Sequence, residues 1–170
     1  MAKTSGAKKK TEIALIGDVD DWEADAVKQM LELPSGSEVV FYIDSAGGSV
    51  YGAVAVFTLM RQRRLRGTAV VLGECSSAAL LIFAACEHRQ VTRLSTLMFH
   101  RMRWQSEKRV VAEEAHRWAQ HFDELEKELD RLQARLFGVA FDQVRIWTDG
   151  SFYVTGTQIA EAGLAELLTV

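Results

Sequence analysis

The chain has 170 residues, 48% of them hydrophobic, and a formal net charge of −3 at pH 7. This length fits a single domain with a full core, and the small net charge argues against a nucleic-acid-binding surface. No apolar run reaches the length of a transmembrane helix and no secretory segment follows the first methionine, so we expect a cytoplasmic protein with no membrane or nucleic-acid partner.

The first part of the chain predicts a tail, a strand and a helix. Residues 1–10 are small, polar and basic, which is typical of a flexible tail ahead of a single domain over residues 11–170. Residues 13–17 indicate a short strand. Residues 20–33 carry apolar side chains at helical spacing behind early carboxylates that favour the helix dipole, and Pro34 and Gly36 end this helix.

The central part, from Phe41 to His100, repeats the order strand, turn, helix. Short apolar runs rich in β-branched and aromatic residues predict buried strands. The predicted strands cover residues 39–43, 68–72 and 95–99, and the predicted helices cover residues 51–60 and 80–86. This repetition predicts a layered α/β domain.

Two side chains of this central part have the chemistry of a nucleophile and its base. Ser77 follows the second of these strands, and His100 ends the third. A serine hydroxyl is a weak nucleophile until a base removes its proton, and histidine titrates near neutrality. Gly47 and Gly48 form a turn whose backbone amides another chain can approach closely.

A long helix is predicted over about residues 106–137. Its apolar side chains recur at steps of four and three residues and form a stripe along one face of the helix. We expect this face to be buried either within the domain or against another subunit. The stripe consists of Val111, Ala115, Trp118, Phe122, Leu125, Leu129, Leu132 and Leu136.

The remaining cysteines and histidines predict no metal centre. Cys75 and Cys86 lie in apolar stretches and are expected to be reduced core thiols. His88, His116 and His121 are expected at the surface. No grouping of histidine, cysteine, aspartate and glutamate has the spacing of a metal site, and we predict no cofactor.

The chain resembles the Clp protease proteolytic subunit (ClpP) family of the ClpP/crotonase superfamily. Residues 42–50 are similar to the family's strand and glycine turn, residues 73–79 to its nucleophile motif, and residues 98–101 to the motif of its base. Residues 152–165 are similar to its closing segment. The motifs occur in the family's order and at matching spacing over about residues 13–168.

The resemblance implies a site and a reaction. It makes Ser77 the nucleophile and His100 the general base of a serine endopeptidase, with the backbone amides of Gly48 and Ala78 as oxyanion donors. Ser76 is adjacent to the nucleophile, but the spacing from Gly73 favours Ser77.

The resemblance also implies an assembly. In this family a long helix projects from the globular head as a handle, and homo-oligomeric rings, stacked in twos through their handles, cleave peptides or unfolded proteins in a closed chamber. Members that dock an AAA+ unfoldase carry a longer N-terminal segment than residues 1–10 provide, so the sequence leaves an unfoldase partner open.

The third member of the catalytic triad is the least determined. The family supplies an aspartate shortly before the closing segment, but a gapless count back from Thr155 reaches Ser151. Asp149 lies two residues earlier, and a bulge at Gly150 would bring it to the histidine. We choose Asp149, with Ser151 and a simple Asp-Gly turn as alternatives. Asp142 is a weaker candidate because it is expected at a helix start.

Three functions remain open at this point. The first is a serine peptidase of the ClpP type. The second is a ring subunit with the fold and little or no activity. The third is an acyl-CoA enzyme of the crotonase type, which would not need the pair of Ser77 and His100.

Overall fold

The protein is described here by a computed structural model that covers residues 10–106 and 109–169. The predicted basic tail, except for Lys10, lies outside the described residues. No helix in the described ranges is long and apolar enough to cross a membrane.

The described residues form seven strands and six helices in an alternating order. The strands are β1 (Thr11–Ile16), β2 (Glu38–Ser45), β3 (Arg66–Ser76), β4 (His88–Val91), β5 (Thr96–Met98), β6 (Tyr153–Thr155) and β7 (Glu166–Leu167). The helices are α1 (Val19–Glu32), α2 (Val50–Gln62), α3 (Ala79–Ala85), α4 (Ala112–Phe137), α5 (Phe141–Gly150) and α6 (Gly156–Glu161).

The strands form one sheet with the order β1-β2-β3-β4-β7, in which all neighbours are parallel. Parallel neighbours require crossover connections, which α1, α2 and α3 provide between β1 and β4. β5 continues beside the carboxyl end of β3 and pairs antiparallel with β6. This architecture confirms the predicted mixed α/β class and brings the ends of β2, β3 and β5 together.

Apolar runs of β2 and β3 alternate between the core and the other face of the sheet. Phe41, Ile43, Ala69 and Val71 are fully buried, and Leu97 on β5 joins them. At about 25 cal/mol per Å² of apolar surface, this burial is the main stabilising contribution to the fold. The same packing holds the polar residues that follow each strand at one edge of the sheet.

The short elements β4, β6, β7, α5 and α6 were not predicted, and two of them contain residues discussed above. β4 contains His88, which is exposed as expected but lies in a strand rather than a loop. α5 contains Asp142 in its first turn, as expected, and continues through Asp149 and Gly150, where we predicted a turn. Val144 is buried within this helix, and its packing outweighs the local turn preference of Asp-Gly.

The long helix α4 is confirmed, and it begins at Ala112; residues 107 and 108 of the predicted range lie outside the described residues. Its apolar stripe has two environments. Near the C-terminal end, Leu136 is half-buried against the core, beside the buried Ala134 and Phe137, whereas Val111 and Trp118 near the N-terminal end are 68% and 38% exposed. The domain therefore covers the stripe only in part, and only towards its C-terminal end.

Both cysteines are free and buried, as predicted. Burial raises the pKa of both thiols, that of Cys86 from 9.0 to about 12. We expect the native protein to resist a thiol-specific reagent at pH 8 and two thiols to react after unfolding in urea. Fast reaction of the native protein would contradict this packing.

The raised pKa values of the two thiols also make the stability of the protein depend on pH. A thiol whose pKa is higher in the folded than in the unfolded state favours folding fully below the unfolded pKa. This contribution is lost as the pH rises from about 9 towards 12, the window of Cys86. The free energy of unfolding should fall over that window, and a Cys86→Ala variant should show a weaker fall.

Candidate active site

Ser77 lies in the sharp turn between β3 and α3. Its φ of 55° is in the left-handed region, which non-glycine residues rarely adopt. The surrounding structure holds this conformation, because the Ser77 N–H donates to the carbonyl of Met98 (2.9 Å) and the Ser77 carbonyl accepts from the Leu80 N–H (3.1 Å). The bond to Met98 fixes the serine beside the end of β5.

The glycine turn after β2 passes directly over the serine. A Cβ atom at Gly47 would lie 2.6 Å from the Cβ of Ser77 and 3.1 Å from the backbone nitrogen of Ala78. Gly47 and Gly48 also have φ values of 104° and 125°. Both the conformation and the close approach therefore require glycine here.

His100 follows β5 and reaches the serine directly. Its Nε2 atom lies 2.7 Å from the Oγ atom of Ser77, within hydrogen-bond distance for proton transfer. The neighbouring Ser76 is fully buried, and its hydroxyl donates to Glu74 Oε1 at 2.6 Å. The structure thus brings His100 to Ser77 and not to Ser76.

The two candidate oxyanion donors border the same cleft as Ser77 and His100. In the described part of the chain, the backbone amides of Gly48 and Ala78 donate no hydrogen bond to another protein group. The cleft has a volume of about 210 Å³. Its other walls include Val50, Ala53, Leu80, Leu81, Phe99 and Leu129.

The structure does not bring Asp149 to His100, so the choice of Asp149 as the third triad member stays a prediction without support from the geometry. Its carboxylate accepts from Arg101 Nε at 2.7 Å and lies 2.6 Å from the Nη2 atom of the same side chain. Because α5 continues through Gly150, no bulge moves the carboxylate inward. His100 Nδ1 is buried and has no hydrogen-bond partner among the described residues.

The register of β5 and β6 leads to a different residue as the neighbour of the histidine. β5 and β6 are antiparallel, and the Phe99 N–H donates to the Phe152 carbonyl at 3.0 Å just beyond the paired strands. Counting one further step along both chains leads to His100 and Ser151, which lie outside the paired strands. The gapless count from Thr155 and the register therefore agree.

A cluster around Arg101 was missed by the sequence reasoning. Arg101 Nη1 lies 2.8 Å from Asp130 Oδ2 and 3.5 Å from Glu126 Oε2, both on α4. The Asp130 side chain is only 6% exposed. The sequence offered one sign of this cluster, since Asp130 directly follows Leu129 of the apolar stripe. Because Arg101 follows His100, the cluster ties the histidine segment to the long helix.

Metal ligation has no structural basis among residues 10–106 and 109–169. No group of three or more histidine, cysteine, aspartate or glutamate side chains there is arranged to hold an ion. The site as described uses a hydroxyl, an imidazole and backbone amides.

Comparisons with known proteins show the family of the chain. The family model described as Clp protease matches residues 2–169. The chain is 27% identical over 154 residues to an ATP-dependent Clp protease proteolytic subunit of Bacteroides fragilis, covering 87% of this chain and 73% of the relative. The identity and both coverages are the same for an ATP-dependent Clp protease proteolytic subunit 1 of Corynebacterium diphtheriae. These matches confirm the resemblance carried by the motifs, and the chain belongs to the Clp protease family.

Proposed function

We propose that this chain is a serine endopeptidase with Ser77 as nucleophile and His100 as general base. The observation that carries the proposal is the 2.7 Å contact between Ser77 Oγ and His100 Nε2 at a left-handed turn. The two relatives described above are named as proteolytic subunits of a Clp protease, which supports peptide-bond hydrolysis as the reaction class.

The proposed mechanism uses only groups of the cleft. Ser77 Oγ attacks the carbonyl carbon of the scissile peptide bond while His100 Nε2 takes the hydroxyl proton. The oxyanion of the tetrahedral intermediate accepts hydrogen bonds from the amides of Gly48 and Ala78. His100 returns the proton to the leaving amine, and water then hydrolyses the acyl-enzyme by the same steps.

A fluorophosphonate probe tests the proposal, because it phosphonylates a serine that a base activates. We expect labelling of the native protein, and peptide mapping should locate the label on Ser77 rather than on the adjacent Ser76. Native protein that stays unlabelled while a known serine peptidase reacts under the same conditions would overturn the proposal.

One observation favours a second candidate, a ring subunit with little or no activity. The unpartnered Nδ1 atom of His100 leaves the tautomer and the imidazolium without the usual support. An unlabelled protein that still assembles would fit this candidate. An acyl-CoA enzyme would instead bind an acyl-CoA and tolerate loss of Ser77.

Ser151, the residue to which the count along β5 and β6 leads, gives a gain-of-function prediction. Ser151→Asp should raise the kcat of peptide hydrolysis at least about tenfold, because a carboxylate there would hold the Nδ1–H tautomer and stabilise the imidazolium. Aspartate tolerates the left-handed φ of 49° at this position. Ser151→Asn is the uncharged control, and Asp149→Asn should change kcat less than threefold. A large loss with Asp149→Asn would contradict this assignment.

We further propose that the chain forms a homo-oligomeric ring and that two such rings stack through the exposed N-terminal half of α4. The assembly works in the cytoplasm on peptides or unfolded proteins. An AAA+ unfoldase is a candidate partner. Val111 is 68% exposed at the N-cap of α4. An apolar side chain in this position is available for contact with another subunit.

Val111→Asp tests the stacked rings. Aspartate is a preferred N-cap residue and should not harm the isolated chain, whereas an unpaired buried charge would weaken a contact between rings. In analytical ultracentrifugation we expect the wild type to sediment as a large assembly and the variant as a smaller one. Gln120→Asp, on the opposite side of the same helix, is the control. A monomeric wild type would refute the assembly.

A further inference from the structure

The cleft beside Ser77 contains a buried amide oxygen that accepts no hydrogen bond from residues 10–106 and 109–169. Gln133 borders the cleft from α4, on the same face as Leu129. Its Oε1 atom is buried and has no hydrogen-bond partner among the described residues. Buried polar groups are nearly always paired, so an orphaned acceptor in a substrate cleft points to a donor that arrives with a ligand.

The acidic and hydroxyl side chains of α4 and α5 that border the cleft are already engaged, whereas Arg103, which also borders it, is exposed. Asp130 and Glu126 accept from Arg101 or lie in ion-pair contact with it. The Thr148 hydroxyl donates to the carbonyl of Val144 at 3.1 Å within α5. The apolar walls come from Ala53, Leu80, Leu81, Phe99 and Leu129.

We propose that Gln133 determines the specificity of this site. The cleft selects a substrate side chain with an apolar body and a hydrogen-bond donor at its tip, and tyrosine just before the scissile bond matches this description. The proposal rests on the proposed peptidase function. Sites with a buried acceptor discriminate against ligands that lack the donor, because such ligands leave the acceptor buried and unpaired.

The unpartnered Nδ1 atom of His100 is the other group that Gln133 could serve. The neighbours of His100 direct their side chains to α4, where Phe99 contacts Phe137 with ring centroids 6.2 Å apart and Arg101 contacts Asp130. His100 stands between these two residues in the sequence, and its Nε2 atom contacts Ser77 at 2.7 Å. No hydrogen bond joins His100 to the amide in the described structure, which leaves the acceptor to the substrate.

Three fluorogenic peptides test the proposal. They are identical except for phenylalanine, tyrosine or 4-methylphenylalanine before the scissile bond; the last matches tyrosine in size but has no donor. We expect kcat/KM for tyrosine to exceed that for 4-methylphenylalanine about tenfold. In Gln133→Met, which keeps the shape of the side chain, the ratio should approach one. Gln120→Met, on an exposed part of the same helix, should keep the ratio of the wild type.

Each other outcome overturns the proposal in a recognisable way. Equal rates for the two size-matched peptides in the wild type would show that the amide oxygen does not select a donor. Equal losses for all three peptides in Gln133→Met would instead make Gln133 a positioning residue for His100. Fluorophosphonate labelling without cleavage of any peptide would reject this inference alone. If the protein is not labelled and cleaves none of the peptides, the proposed function is rejected together with this inference.

Discussion

Replacing Ser77 by alanine should lower the kcat of peptide hydrolysis on the order of 10⁴-fold or more. Alanine has the same Cβ atom as serine, so the left-handed backbone conformation with its φ of 55° is no harder to adopt in the variant. The hydroxyl group is lost, and with it the 2.7 Å contact to His100. His100→Ala should cause a loss of similar size, and the double variant should lose little more, because the two side chains act as one unit.

Steady-state cleavage of a fluorogenic peptide measures this loss, and thermal melts monitored by circular dichroism check that each variant is folded. His121→Ala is a suitable control, since His121 is an exposed histidine whose hydrogen bond is to Tyr51. Its kcat should stay within a factor of two of the wild type. A folded Ser77→Ala protein with full activity would refute the assignment of the nucleophile.

The second large effect is expected at Arg101. Arg101→Met should lower the free energy of unfolding by about 3 kcal/mol, because it leaves the carboxylate of Asp130 without its cation in a nearly dry position. The side chain of Asp130 is 6% exposed and lies 2.8 Å from Arg101. The cluster also holds Glu126, so α4 and the segment after His100 should both loosen.

Urea unfolding at a fixed protein concentration measures this change, since assembly makes stability depend on concentration. The double variant Arg101→Met with Asp130→Leu should recover much of the loss, because it removes both buried charges together. Asp149→Asn is the matched control: its carboxylate is 53% exposed, and the variant should cost less than about 1 kcal/mol. Equal costs for Asp149→Asn and Arg101→Met would contradict a buried ion pair as the cause.

The sequence by itself determined the strands β1, β2, β3 and β5, the long helix, and Ser77 and His100 as candidates for a nucleophile and its base. Short β-branched and aromatic runs such as residues 39–43 have one low-energy role, a buried strand, and the structure has β2 there. Ser77 and His100 could be named before any coordinates from their chemistry, from their positions after two predicted strands and from the resemblance to the family's motifs. β3 and β5 pair directly with each other near the end of β3.

Local patterns were insufficient where burial or pairing partners decide the conformation. Asp149-Gly150 has the composition of a turn, yet packing of Val144 keeps these residues in α5 and turns the carboxylate to Arg101. The register of β5 and β6, from which the count to Ser151 and His100 continues, depends on pairing between segments more than 50 residues apart.

Only the tertiary structure decided what surrounds the site. The apolar stripe of α4 has one periodicity along its length, but Leu136 packs against the core of the domain while Val111 is exposed. The orphaned oxygen of Gln133 likewise depends on which donors other segments bring to the cleft. Helical spacing encodes the direction in which a side chain points, whereas the partner it meets is set by long-range packing of distant parts of the chain.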